Sequence, residues 1–198
     1  MSQQKRLTIV LCLNLAMIAG LVMVGLSSHS LGVLAAGGDY IADSAAIGLG
    51  LFAIYMSKPP HNHPKATSYV AFINALFLLV ITVLVVYGSL QRLVGHTPVI
   101  EGLSVLIISI IAALVMLVGA FILAKGEDTE EDLHMRSVML DTISDAASAA
   151  AVAIAGLIIF LTKSLYWLDS VVALLVGLVI GYNAIKLLRD VIKELKEN

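Results

Sequence analysis

The chain has 198 residues, 60% of them hydrophobic and 13% charged, with a formal net charge of -2 and a mean hydropathy of +0.99. A water-soluble domain carries about 25% charged residues, so this composition excludes an ordinary soluble enzyme. The acidic balance gives no basic surface for nucleic acid, and no nucleic-acid partner is expected.

Six apolar runs follow one another, at 7–28, 31–56, 67–91, 99–124, 134–162 and 166–188. About 20 residues of helix cross the hydrocarbon core of a bilayer, so each run predicts a membrane span. The expected fold class is all-α: a polytopic membrane protein with six transmembrane helices, forming a single domain over 1–198 with no soluble domain. The first run follows Lys5 and Arg6, as a signal peptide would, but it is too long for an apolar signal core and is read as a retained helix. Cys12, the only cysteine, lies within it and is read as an apolar filler; no internal disulfide can form.

The loops set the orientation. With the N-terminus in the cytoplasm, Lys5, Arg6, Lys58, Lys65, Lys125, Arg136, Lys186, Arg189, Lys193 and Lys196 fall inside, and only Arg92 and Lys163 outside. This positive-inside bias predicts that both termini are cytoplasmic, in the cell membrane.

The second run holds Gly37-Gly38-Asp39-Tyr-Ile-Ala-Asp43-Ser-Ala45. The pair Pro59–Pro60 ends that helix, and His61 and His63 follow in the cytoplasmic loop, where they are candidates for capturing incoming metal or simply solvated. Asn14 in the first span and Asn74 in the third are lone amides, suited to interhelical hydrogen bonds or to supporting the aspartates. Before the fifth helix the stretch GEDTEEDLH, 126–134, holds five acids and His134, which lies within two helical turns of Asp141. The fifth run carries Asp141-Thr-Ile-Ser-Asp145-Ala-Ala147 and then the small-residue stretch DAASAAAVAIAG, which lets another helix approach closely. Asp169, at the start of the sixth run, is expected to cap that helix near the outer surface.

The motifs in helices 2 and 5 match at four of seven positions, both aspartates included. Being three spans apart, they run in opposite directions, as in inverted repeats whose substrate site lies between the halves. Residues four apart share one helix face, so Asp39 pairs with Asp43 and Asp141 with Asp145. One Asp at mid-membrane costs about 2.5–3.5 kcal/mol, and no intramembrane Lys or Arg is expected to offset four of them. Such a burden points to function. Four convergent carboxylates make an oxygen cage for a divalent cation; empty, they repel and hold protons, which metal must displace. A cage opening alternately to each side exchanges metal for protons.

At these residues the sequence resembles the cation diffusion facilitator family, which carries a [His/Asp]-x-x-x-Asp motif in helix 2 and another in helix 5. Similar segments are NLAMIAG around Asn14, AFINALFLL around Asn74 and YWLDSVVALLVGLVIGYNAIKLLRD in helix 6, so the likeness covers about 8–192. The resemblance implies a homodimer with one site per protomer at Asp39, Asp43, Asp141 and Asp145, exporting divalent metal (Zn²⁺, Mn²⁺, Co²⁺ or Cd²⁺) in exchange for protons, with no prosthetic group. Asn14, Asn74, His61, His63 and His134 are candidates for peripheral roles. The chain departs from the family pattern in three ways. A short form without the usual C-terminal cytoplasmic domain is expected, dimerising through membrane contacts. The segment before helix 3 is reduced to HNHPKATSY. Neither motif holds a His; hard oxygen ligands suit Mn²⁺, while Zn²⁺ and Co²⁺ also bind oxygen sites.

Two other classes were weighed. An intramembrane metal-dependent enzyme is disfavoured, since Asp39 follows Gly-Gly rather than Gly-x-Gly and no Asp-Gly-x-x-Ala-Arg pattern occurs. A non-transporting interaction protein is separated from a transporter by whether Asp-to-Ala changes abolish metal export.

Overall fold

A computed structural model describes the chain over residues 3–56, 64–124 and 132–197, with side chains described over 5–48, 51–52, 72–122 and 145–193. It contains α1 (Gln3–Ser27), α2 (Leu31–Met56), α3 (Pro64–Val94), α4 (Gly102–Ala124), α5 (Asp132–Thr162) and α6 (Trp167–Glu197). The expected all-α class holds. α6 continues through the charged tail to Glu197.

Five of the six helices are long and apolar enough to cross a membrane: α1, α3, α4, α5 and α6. The exception among the described residues is α2, which carries two aspartates and five glycines. Packing supplies the reason such a helix is tolerated. α2 touches each of the other five helices, while α3 packs chiefly on α6, α4 on α5 and α1 on α2. A helix surrounded by protein has little need of a lipid-compatible surface. α4 shows the opposite pattern, with Leu103, Ile107, Ile110, Leu114, Leu117 and Phe121 exposed toward the place lipid occupies. The chain is an integral, multi-pass membrane protein.

The buried core runs along α2 and its neighbours, through Leu21, Val33, Ala35, Tyr40, Val85, Val105, Val152, Ile159, Ala173 and Val176. The small-residue stretch of α5 meets α4 where two glycines face each other. A Cβ at Gly102 would lie 2.6 Å from the carbonyl oxygen of Gly156 and 2.5 Å from the backbone nitrogen of Phe160. One at Gly156 would meet the nitrogen of Leu106 at 2.8 Å. Only glycine admits this backbone approach.

Short connections join the helices on the side of the α2 and α6 N-termini. α1 ends with the Ser28 and Ser30 N–H groups donating back to the carbonyls of Val24 and Gly25, while His29 takes a left-handed conformation at φ 56°. This closes the helix as a left-handed C-cap does.

Candidate metal-transport site

α2 orients its aspartates through the residue between them. Tyr40 is fully buried and its hydroxyl donates to the backbone carbonyl oxygen of Ala112 on α4. Successive helical residues are turned by about 100°, so fixing Tyr40 against α4 turns Asp39 and Asp43 toward other neighbours. Ala42 and Ser44 are buried beside them, and the Ser44 hydroxyl donates to the carbonyl of Tyr40 at 2.8 Å. Gly38 permits a close approach of α3, since a Cβ there would meet Ile81 Cγ2 at 2.7 Å.

Asp39 and Asp43 from α2 and Asp145 from α5 line one cavity of about 330 Å³. Its wall also includes Asn74 and Leu78 from α3 and Ile180, Asn183, Lys186 and Asp190 from α6. Asn74 and Leu78 belong to the N-terminal half of α3, and Asn183, Lys186 and Asp190 to the C-terminal half of α6, so the cavity lies toward one end of the bundle. By the charge distribution that end is the cytoplasmic one. Among the described residues, no three His, Cys, Asp or Glu side chains cluster tightly enough to hold a metal ion. The three carboxylates share a cavity without closing into a cage.

Asp141 lies on α5 one turn before Asp145, and its side chain falls outside the described residues, as does that of His134. His61 and His63 lie outside the described residues altogether. Asn74 lines the cavity, whereas Asn14 is buried in α1 and is not part of its described wall.

Lys186, an exposed residue of the α6 end that the charge distribution places in the cytoplasm, stands in the cavity wall with Asn183 and Asp190, a polar stripe at helical spacing on α6. One expectation is corrected. Asp169 does not cap α6. It is 1% exposed and accepts the N–H groups of Leu31 at 2.8 Å and Gly32 at 3.3 Å, and the hydroxyl of Ser30, so it caps the N-terminus of α2. The free N–H groups and positive dipole end of α2 make this the favourable place for a carboxylate.

The family model for the cation efflux transmembrane domain matches residues 7–196. The chain belongs to the cation efflux family. Members similar to it include the zinc transporter ZitB of Yersinia pseudotuberculosis, 33% identical over 99% of this chain and 64% of the relative. ZitB of Escherichia coli is 32% identical over 89% of this chain and 57% of its own length. The cadmium, cobalt and zinc/H(+)-K(+) antiporter of Bacillus subtilis is 30% identical over 89% of this chain and 60% of its own length. The chain thus spans less than two thirds of these cation efflux relatives.

Proposed function

We propose that this chain moves a divalent metal cation out of the cytoplasm in exchange for protons, through a site made by Asp39, Asp43, Asp141 and Asp145. The observation that carries this reading is the shared cavity: α2 and α5 bring three of the four carboxylates to one hollow inside a membrane-embedded bundle. Carboxylate oxygens bind hard and borderline divalent cations, and a cavity of this size admits a cation with part of its water shell. Entry of the metal releases protons from the carboxylates, and departure lets them return, which couples the two flows. Three of the similar cation efflux proteins are named for zinc, one of them for cadmium and cobalt as well. Zn²⁺, Cd²⁺ and Co²⁺ are therefore put ahead of Mn²⁺ as cargo, although an all-oxygen ligand set would also suit Mn²⁺. A homodimer with one site per protomer completes the reading.

The test is metal uptake into inside-out proteoliposomes under an imposed pH gradient, with Zn²⁺, Cd²⁺, Co²⁺ and Mn²⁺ supplied in turn. Proton-driven uptake that disappears in Asp145→Ala supports the reading. Uptake unchanged in Asp43→Ala and Asp145→Ala overturns the site, and a rate indifferent to the pH gradient overturns the coupling.

A further inference from the structure

The end of the bundle opposite the cavity is closed in a specific way. Ser30 is the N-cap of α2: its hydroxyl oxygen accepts the Val33 N–H at 3.1 Å and donates to Asp169. Asp169 belongs to α6, and it also takes the first two N–H groups of α2. Arg92, near the end of α3, lies 4.0 Å from the same carboxylate and donates to the carbonyl oxygen of His29 at 2.6 Å. The bonds of Asp169 to Ser30, Leu31 and Gly32 and the bond of Arg92 to His29 join the α3–α6 pair to the α1–α2 hairpin.

Below this network the closure is apolar. Val33, Ala35, Ala36 and Tyr40 on α2 are buried to 8% exposure or less. They fill the roughly 12 Å of helix between Leu31 and Asp39. Space is tight around the carboxylate itself: a Cβ on Gly32 would come within 3.0 Å of Asp169 Oδ1 and 3.2 Å of Val152. Next to the network, Ser89 and Ser170 are fully buried, and their hydroxyls have no hydrogen-bond partner. Ser170 follows Asp169, and Ser89 stands three residues before Arg92. Thr82 and Ser109, away from the network, share that condition, so it is the cross-helix bonds of Asp169, and not the buried hydroxyls, that set this end apart.

We infer that Asp169, with Arg92 and Ser30, is a latch that holds the outer end of the cavity shut, and that its release lets the cavity open to that side. Asp169 is a positioning residue: it acts through the N-terminus of α2, the helix that carries Asp39 and Asp43. The inference rests on the reading of the cavity as a transport site, but its test needs no metal.

A single cysteine at Ala42, a cavity-wall position on α2, is introduced with Cys12→Ser as background. A membrane-impermeant thiol reagent is then applied from each face of oriented vesicles. With the latch intact, labelling comes from the face at the C-terminal end of α6 and is slow from the other. In Asp169→Asn and in Arg92→Gln, labelling from the outer face rises on the order of tenfold, the population shift that loss of one charge-assisted hydrogen bond produces. Arg92→Lys restores part of the protection. A purely structural cap would lower thermal stability without changing the face from which Ala42→Cys is reached. Outer-face labelling unchanged in both variants overturns the latch. Should Asp169→Asn fail to insert, Arg92→Gln decides alone, because Arg92 is partly exposed and its side chain is dispensable to the core. If labelling shifts while the unaltered protein moves none of the four metals, the latch stands and the cargo reading falls.

Discussion

Asp169 and the aspartates of the α2 and α5 motifs are the same residue type inside the same bundle, yet they sit in opposite surroundings. Asp169 is closed over by protein and surrounded by donors: a hydroxyl, two backbone N–H groups and a guanidinium. Asp39, Asp43 and Asp145 are partly exposed and border a hollow. A carboxylate in a membrane helix is therefore no sign of chemistry by itself. What separates the two cases is that Asp169 is fully buried among fixed donors, whereas the other three border a space that another species can enter.

That contrast can be broken by substitution, and the largest effect belongs to the cavity. Asp43→Ala or Asp145→Ala should reduce proton-driven metal uptake to background while lowering the melting temperature in detergent less than Asp169→Ala does, because each carboxylate is only partly buried. Asp169→Ala should do the reverse. Three donors lose their acceptor, and stability should fall by about 3 kcal/mol, read as a lower melting temperature. Equal destabilisation by all three substitutions would erase the distinction.

A smaller test separates damage from function. Gly156→Ala forces α4 away from α5 and should cost about 1–3 kcal/mol, yet it should leave the sidedness of Ala42→Cys labelling as it was, unlike Asp169→Asn. Tyr40→Phe removes one buried hydrogen bond to α4, worth about 1 kcal/mol, and should slow transport modestly by loosening the turn of Asp39 and Asp43. The smallest effect is expected at Lys186→Met. Removing a cation from the wall should tighten metal binding by no more than about threefold, because Lys186 is exposed and its field is screened; calorimetry at two salt concentrations measures it.

Much of the fold was legible because membrane helices announce themselves as long apolar runs, and the all-α class needed nothing else. The two Asp-x-x-x-Asp motifs were legible because spacing within one helix determines a shared face. The Asp169 cap was not, since its partners lie 139 residues away at Ser30 and no local spacing encodes a contact between the starts of two different helices. That Lys186 borders the cavity was not legible for a related reason. Distance along α6 says how deep a residue sits, but which neighbour it faces depends on how the helix is rotated in the bundle. Tyr40, flanked by the two aspartates, drew no notice because a tyrosine in an apolar run reads as packing; its hydroxyl's acceptor is on a helix some seventy residues later.

The central place of α2 has a consequence for how the protein is made. A segment with two aspartates and five glycines gains little by entering lipid alone. It emerges from the ribosome second, before four of the five helices that cover it exist. Its insertion is therefore tied to the synthesis of later helices, and α1 must shelter it at the translocon until α3 and α6 arrive. In nascent chains cut after α2, a glycosylation reporter behind α2 should stay on the far side of the microsomal membrane, held there by α1 alone, whereas the same reporter in chains extended through α6 should lie on the near side.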